Sequence, residues 1–259
     1  MLIIQPIGGL CNRMRAINSA LVLAEMRGDH LHVLWNVNHE LGCPFEHLFS
    51  QTNRFTLNNI YSKYDLGKLY YQLTCRRIGN EQIRSNRDSS GLVPEFTSTL
   101  PRRLYIATEE HFFPSHDYTA FAANYDIRKK VNDLKAGFGS RCVGVHIRRT
   151  DNKPSIDGSS TDAFVDQIRK ELAQDPETVF YLATDDLGEE ENLRKLFPGK
   201  IISNENRDLS RETVTGIQDA LVDLLALSET SKIIGSYYSS FTDIAADMHS
   251  IPKVIAGKD

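Results

Sequence analysis

The sequence predicts an α/β protein in which parallel strands are joined by crossover helices. Three observations carry this expectation. Short apolar runs read as buried strands, segments of helical period lie between them, and glycine or proline marks the joins. The alternation is clearest after residue 140, where strand-like and helix-like segments follow one another to the end of the chain.

Leu2-Ile3-Ile4 reads as a first strand, and Gly8-Gly9 as the tight turn that follows it. Leu10, Met14, Ile17, Leu21 and Ala24 recur at helical spacing up to Gly28, and His30 to Trp35 is a second strand. Residues 50–105 are aromatic, basic and weakly periodic, so short helices and loops are expected there. Phe121 to Asp133 reads as a helix, and Gly137-Phe138-Gly139-Ser140 as a domain junction. The expected domains are therefore 1–137 and 138–259. Beyond the junction, Cys142 to Ile147, Thr178 to Ala183, Ile201-Ile202 and Lys232 to Gly235 are expected strands. Expected helices centre on Phe164, Ile168 and Leu172, capped by Ser160 or Thr161, and on 189–197, 213–228 and 241–248. Lys253 to Ala256 is a last strand or tail.

Composition excludes several classes. The 259 residues are 41% hydrophobic and 25% charged, as in ordinary globular chains. A mean hydropathy of -0.35 argues against a membrane span. The N-terminus has no basic and apolar leader pattern, so no signal peptide is expected. Cys11, Cys43, Cys75 and Cys142 show no C-x-x-C spacing, which fits reduced cytoplasmic thiols. Lys and Arg number 16 against 13 Asp and Glu over residues 1–135, and 14 against 21 over 136–259. Nucleic-acid binding would need a stronger basic field.

Ligands of open parallel sheets bind beyond the strand carboxyl ends. Three such ends carry unusual polar groups. In His146-Ile147-Arg148-Arg149-Thr150-Asp151, alternation puts His146 and Arg148 on one face of the strand. Paired guanidinium groups suit a diphosphate; they equally suit an ion-pair network with Asp151. Thr184-Asp185-Asp186 offers carboxylates to ribose hydroxyls or guanine N–H groups, or a helix cap. An Asp pair is a weak metal signal. Ser239-Ser240-Phe241 opens a helix and makes either an anion site or a plain cap. A fourth site, Gly8-Gly9-Leu10-Cys11-Asn12-Arg13, matches neither the Walker nor the dinucleotide glycine pattern and is otherwise an ordinary βα turn. Asp219 and Asp223, one helical turn apart, read as a solvated face; His111, His116 and His249 read as structural.

Taken in order, these motifs resemble the fucosyltransferase superfamily that includes the α-1,6-fucosyltransferases and the rhizobial nodulation fucosyltransferase. The matching segments are Gly-Gly-Leu-Cys-Asn-Arg at 8–13, Val-His-Ile-Arg-Arg-Thr-Asp at 145–151, Phe-Tyr-Leu-Ala-Thr-Asp-Asp at 180–186, Asp223 in its Val-Asp-Leu-Leu context, and Ser239-Ser240-Phe241. The resemblance covers most of 1–27 and 140–250. It implies a GT-B fold, two Rossmann-like domains facing a cleft, with the nucleotide on the C-terminal one. It implies inverting transfer of fucose from GDP-fucose to a glycan, with no cofactor and no metal. Arg148 would grip the β-phosphate, and His146, Arg149 and Asp151 would support the donor. Asp185, Asp186 and Asp223 would recognise ribose and guanine. Ser239, Ser240 and Phe241 would close on the diphosphate. Gly8, Gly9, Asn12 and Arg13 would face the sugar from the other domain.

The sequence departs from the family after residue 151. It reads Asn152-Lys153-Pro154-Ser155-Ile156-Asp157, which shifts the expected Lys and acid, so Asp157 stands as the general base. No membrane anchor or stem like that of the animal enzymes is expected. The resemblance therefore points to a cytoplasmic bacterial member acting in surface polysaccharide or glycolipid synthesis. Residues 63–103 carry eight Lys/Arg against four Asp/Glu. That bias reads either as a solvated basic face or as peripheral contact with a lipid-linked acceptor. The alternatives are a transferase using another nucleotide sugar and a non-catalytic nucleotide-sugar-binding protein.

Overall fold

The computed structural model describes residues 1–150 and 152–258. The chain divides into two compact units. One comprises Met1–Asn124 and Ser210–Gln218, the other Tyr125–Leu209 and Asp219–Asp259. The glycine-rich segment at 137–140 thus lies inside the second unit.

The first unit contains β1 (Leu2–Pro6), α1 (Leu10–Arg27), β2 (Leu31–Asn36), β3 (Thr56–Ile60), α2 (Leu66–Thr74), β4 (Arg76–Gly79), α3 (Asn80–Ser85), β5 (Arg87–Asp88), β6 (Gly91–Leu92), α4 (Pro94–Ser98) and β7 (Leu104–Thr108). Its main sheet runs β3-β2-β1-β7-β4, all parallel. β1 is buried throughout, as the central strand of a covered parallel sheet must be. α1 ends where expected, because Gly28 adopts the left-handed conformation (φ 61°) that closes a helix.

The expectation for 50–105 is corrected here. The segment is not only helices and loops, since it supplies β3, β4 and the first two residues of β7 to the sheet. β3 and β4 are edge strands with mostly exposed or half-buried residues such as Asn58, Arg76 and Arg77. Edge strands are kept polar, so neither shows an apolar run.

The second unit contains α5 (Tyr125–Lys135), β8 (Cys142–Ile147), α6 (Lys153–Gly158), α7 (Thr161–Gln174), β9 (Val179–Thr184), α8 (Leu187–Leu196), β10 (Ile201–Ile202), most of α9 (Val214–Ser228), β11 (Ile233–Gly235), α10 (Ser240–Met248) and β12 (Lys253–Ile255). Its sheet runs β10-β9-β8-β11-β12, again all parallel. Val143, Val145 and Ile147 enter one core cluster with Phe164, Ile168 and Leu182, as the alternation along β8 predicts. Ser160 caps α7, its Oγ accepting from the Ala163 N–H at 3.3 Å. All four cysteines are free and buried, and burial pushes the Cys142 thiol up to about 12. Among the described residues, no helix is long and apolar enough to cross a membrane.

Candidate functional site

In the second sheet, β8 leads outward through β9 to β10 on one side, and β11 and β12 lie on the other. The strand order therefore reverses between β8 and β11. Crevices at such switch points, beyond the strand carboxyl ends, are where open α/β sheets bind ligands. Arg148 follows β8, and Ser236 to Ser239 link β11 to α10 at the same edge. The two ends are stapled together: Ser236 Oγ donates to the His146 carbonyl (3.1 Å) and accepts from the Arg148 N–H (2.9 Å).

Arg148 keeps 20% of its side chain exposed and pairs with Asp185 at 2.7 Å. Asp185 also accepts from the Arg149 N–H, the Thr150 N–H and the Thr150 hydroxyl. Burial acts to raise the Asp185 pKa, but Arg148 and these donors outweigh it and hold the carboxyl below its ordinary value. Asp185 thus shapes the loop that presents Arg148.

Arg149 was expected to support the donor; the structure spends it internally instead. Its Nε donates to Glu189 (2.6 Å), its Nη1 to the Ser159 carbonyl and its Nη2 to Thr161, with the guanidinium over the Phe164 ring. His146 is buried, shares a 2.8 Å hydrogen bond with Thr242 and stacks on Phe241 at 4.8 Å. Burial, with Arg148 adding to it, pushes its pKa down to about 3, so the ring is neutral. His146 therefore positions α10 rather than adding charge. Asp151 lies outside the described residues.

Ser239 sits at the N-cap of α10 without a side-chain capping bond. The first-turn N–H groups are thus not closed by it, and such groups attract anions. Ser240 and Phe241 form that first turn. Just before it, Tyr238 has φ 53°, a left-handed conformation unusual for a bulky residue. Strain of this kind gathers where a loop is held for a purpose. α6 packs on this loop: Ser155 Oγ donates to the Tyr237 carbonyl (2.6 Å) and Asn152 Nδ2 to the Tyr238 carbonyl (3.0 Å). Asp157 is an exposed residue of that same helix.

Asp186 is a helix cap, accepting from the N–H groups of Gly188 (2.7 Å) and Glu189 (3.1 Å). Asp219 and Asp223 are not on a solvated face; both are buried. Asp219 accepts from Lys130 and from the Asp208 N–H. Asp223 accepts from the Tyr181 hydroxyl at 2.6 Å and faces Arg207 Nε at 3.8 Å. Burial raises the Asp223 carboxyl to about 7 despite those two partners.

This shift gives a pH prediction. The folded pKa lies above the ordinary 3.8, so the unfolded chain loses the proton first as pH rises. The contribution of Asp223 to stability is complete at low pH and lost as pH climbs through about 7. Asp223→Asn removes the titration. Its melting temperature relative to wild type should therefore rise between pH 5 and pH 8, by the equivalent of about 2 kcal/mol. A difference that stays flat or falls over that range would show that Asp223 is charged in the fold throughout.

The first sheet has its own switch point, between β1 and β7. Gly8 needs its missing side chain, because its φ is 79° and an added Cβ would lie 3.3 Å from Asn12 and 3.5 Å from Glu109. Gly9 opens α1, and a Cβ there would meet open space. Arg13 does not face a ligand: its side chain is 0% exposed. It donates to the carbonyls of Gly8 and Asn36 and to Asn38 Oδ1, and it lies over the Trp35 ring. Burial lowers its pKa to about 10, which leaves it a cation.

Similar solved structures settle what fold this is. NodZ α-1,6-fucosyltransferase soaked with GDP-fucose matches with a TM-score of 0.69 at 18% identity, covering 95% of this chain and 92% of that one. POFUT1 in its apo form matches at 0.60 and 11%, covering 99% and 98%. A mutant of Arabidopsis thaliana FUT1 in complex with GDP matches at 0.61 and 14%, covering 98% and 69%. The fold is fucosyltransferase-like. No protein-family model matches the sequence, and comparison with curated proteins finds no match.

Within this fucosyltransferase-like fold, sequence reasoning missed three site-edge residues. The Arg207 side chain is 3% exposed and ties the Thr184 carbonyl (3.1 Å) and Glu190 (2.8 Å) to the Asn204 carbonyl (3.0 Å) under the end of β9. Glu40 accepts from the Gly8 N–H at 3.2 Å, and Glu109 flanks the same glycine. None of the three stands in a motif, so only their long-range partners reveal them. Among the described residues, no group of three His, Cys, Asp or Glu side chains is placed to hold a metal ion.

Proposed function

We propose that this chain transfers fucose from GDP-fucose to a glycan acceptor, with inversion at the anomeric carbon and without a metal. The observation that carries the reading is Arg148 beside the uncapped start of α10, at the switch point between β8 and β11. The structural neighbours whose names include GDP or GDP-fucose favour that donor. In this reading the chain works as a GT-B enzyme whose two units divide the task. The second holds GDP and the first presents the acceptor beside Gly8, Gly9 and Asn12.

As the C1–O bond to the diphosphate breaks, negative charge grows on the β-phosphate. Arg148 and the α10 N–H groups meet that charge without having to reorganise. The acceptor hydroxyl attacks C1 from the opposite face and gives its proton to Asp157. The products are GDP and an α-fucoside. Cytoplasmic synthesis of a bacterial surface polysaccharide or glycolipid is the setting we propose.

A thermal-shift panel of GDP, GDP-fucose, UDP and ADP, with and without EDTA, tests this. GDP and GDP-fucose should stabilise the protein by about 2.7 kcal/mol at a concentration near 100 times Kd. UDP and ADP should do little, and EDTA should change nothing. Equal shifts with UDP would remove guanine specificity. A shift abolished by EDTA would remove the metal-free mechanism. GDP binding with no GDP release on any glycan would mark a binding protein rather than an enzyme.

A further inference from the structure

We propose that helix α2 docks the first unit onto an anionic lipid bilayer. Leu66, Tyr70 and Leu73 stand at i, i+4 and i+7, so they share one face of this helix. That face points outward: Leu66 is 83% and Leu73 86% exposed, and Tyr70 is also exposed. Tyr61 and Tyr64, just before the helix, are exposed as well. The opposite face is already used, because Tyr71 packs against the cluster of Ile3, Leu34, Ile60, Cys75 and Tyr105. An ordinary surface helix turns its polar side to water. This one is apolar on both sides, and its outer leucines stand open to solvent.

Charge indicates the occupant. From 61 to 77 the sequence holds Lys63, Lys68, Arg76 and Arg77 against Asp65 alone. The Asp65 carboxylate is engaged in capping, accepting from the Lys68 N–H at 2.8 Å. Arg103 rims the stripe, donating to the Thr74 hydroxyl at 2.9 Å and lying 5.9 Å from the Tyr70 ring centre. Lys63 lies over the Tyr64 ring at 4.9 Å, so leucines and tyrosines flanked by Lys63 and Arg103 match an interface of acyl chains, headgroups and phosphates. A second copy of the same face would bring like charges together, so charge complementarity favours lipid over self-association. The inference stands apart from the transfer reaction, since it concerns where the protein sits and not what it transfers.

Cosedimentation of the full chain with vesicles tests it. Wild type should pellet with phosphatidylglycerol/phosphatidylcholine vesicles and bind pure phosphatidylcholine at least about tenfold more weakly. High salt should weaken the anionic binding. The double variant Leu66→Glu/Leu73→Glu should lose about tenfold or more while its melting temperature and GDP-induced shift stay at wild-type values. Arg76→Gln/Arg77→Gln should lose affinity and much of the salt dependence. Wild type left in the supernatant, equal binding to both vesicle types, or unchanged binding by the leucine variant would each overturn the proposal. So would gel filtration showing a wild-type dimer that the leucine variant dissolves.

Discussion

Arg148→Ala is expected to cut fucosyl transfer by about 10²–10³-fold while the protein stays folded. The two halves of this expectation have separate causes. Arg148 is still one-fifth exposed, and its Asp185 partner keeps bonds from the Arg149 and Thr150 N–H groups and the Thr150 hydroxyl. Partly exposed ion pairs are worth about 0–1 kcal/mol, so the melting temperature should move little. In the proposed reaction the catalytic loss arises because a charge facing the departing diphosphate acts most strongly as the bond breaks. Arg148→Lys should recover only part of the activity, since an ammonium lacks the forked donors that fit phosphate oxygens. GDP release under saturating donor, read beside circular dichroism and a melting curve, separates the two effects. Turnover close to wild type in Arg148→Ala would refute the assignment.

Arg207→Ala should act in the opposite way, destabilising the second unit by about 3–5 kcal/mol. The Arg207 side chain is nearly enclosed and faces two acids, Glu190 at 2.8 Å and Asp223 at 3.8 Å. Removing it takes the nearest cation from the buried Asp223, leaves Glu190 to Arg194 alone and orphans the carbonyls of Thr184 and Asn204. Chemical denaturation should show the midpoint falling with little change in slope. Above about pH 7, where the Asp223 carboxyl is charged, Asp223→Asn in the Arg207→Ala background should recover part of the loss. Wild-type stability in Arg207→Ala would mean that water reaches the site and solvates both acids.

The contrast between these two arginines shows what a motif can and cannot reveal. Arg148 and Arg149 are adjacent in the sequence and look equivalent. The fold separates them, since Arg149 is consumed by Glu189, Ser159 and Thr161, residues 10 to 40 positions away. No local pattern distinguishes a guanidinium that stays one-fifth exposed beside a strand-end carboxylate from one enclosed by an acid on another helix. Asp223 is a second case. Its spacing from Asp219 reads as a solvated face, yet both carboxylates turn inward because Lys130, Tyr181 and Arg207 arrive from elsewhere.

By itself the sequence determined the α/β class, the central strands and the positions of the motifs at strand ends. Those features rest on interactions between near neighbours: buried strands must be apolar, helices must repeat every 3.6 residues, and turns need glycine. Only the tertiary structure decided the polar edge strands β3 and β4, whose pairing leaves no apolar trace. It alone decided which charged side chains are spent inside and which stay available. That outcome depends on long-range partners, and the burial of a charge is tolerated only where a distant residue supplies its complement.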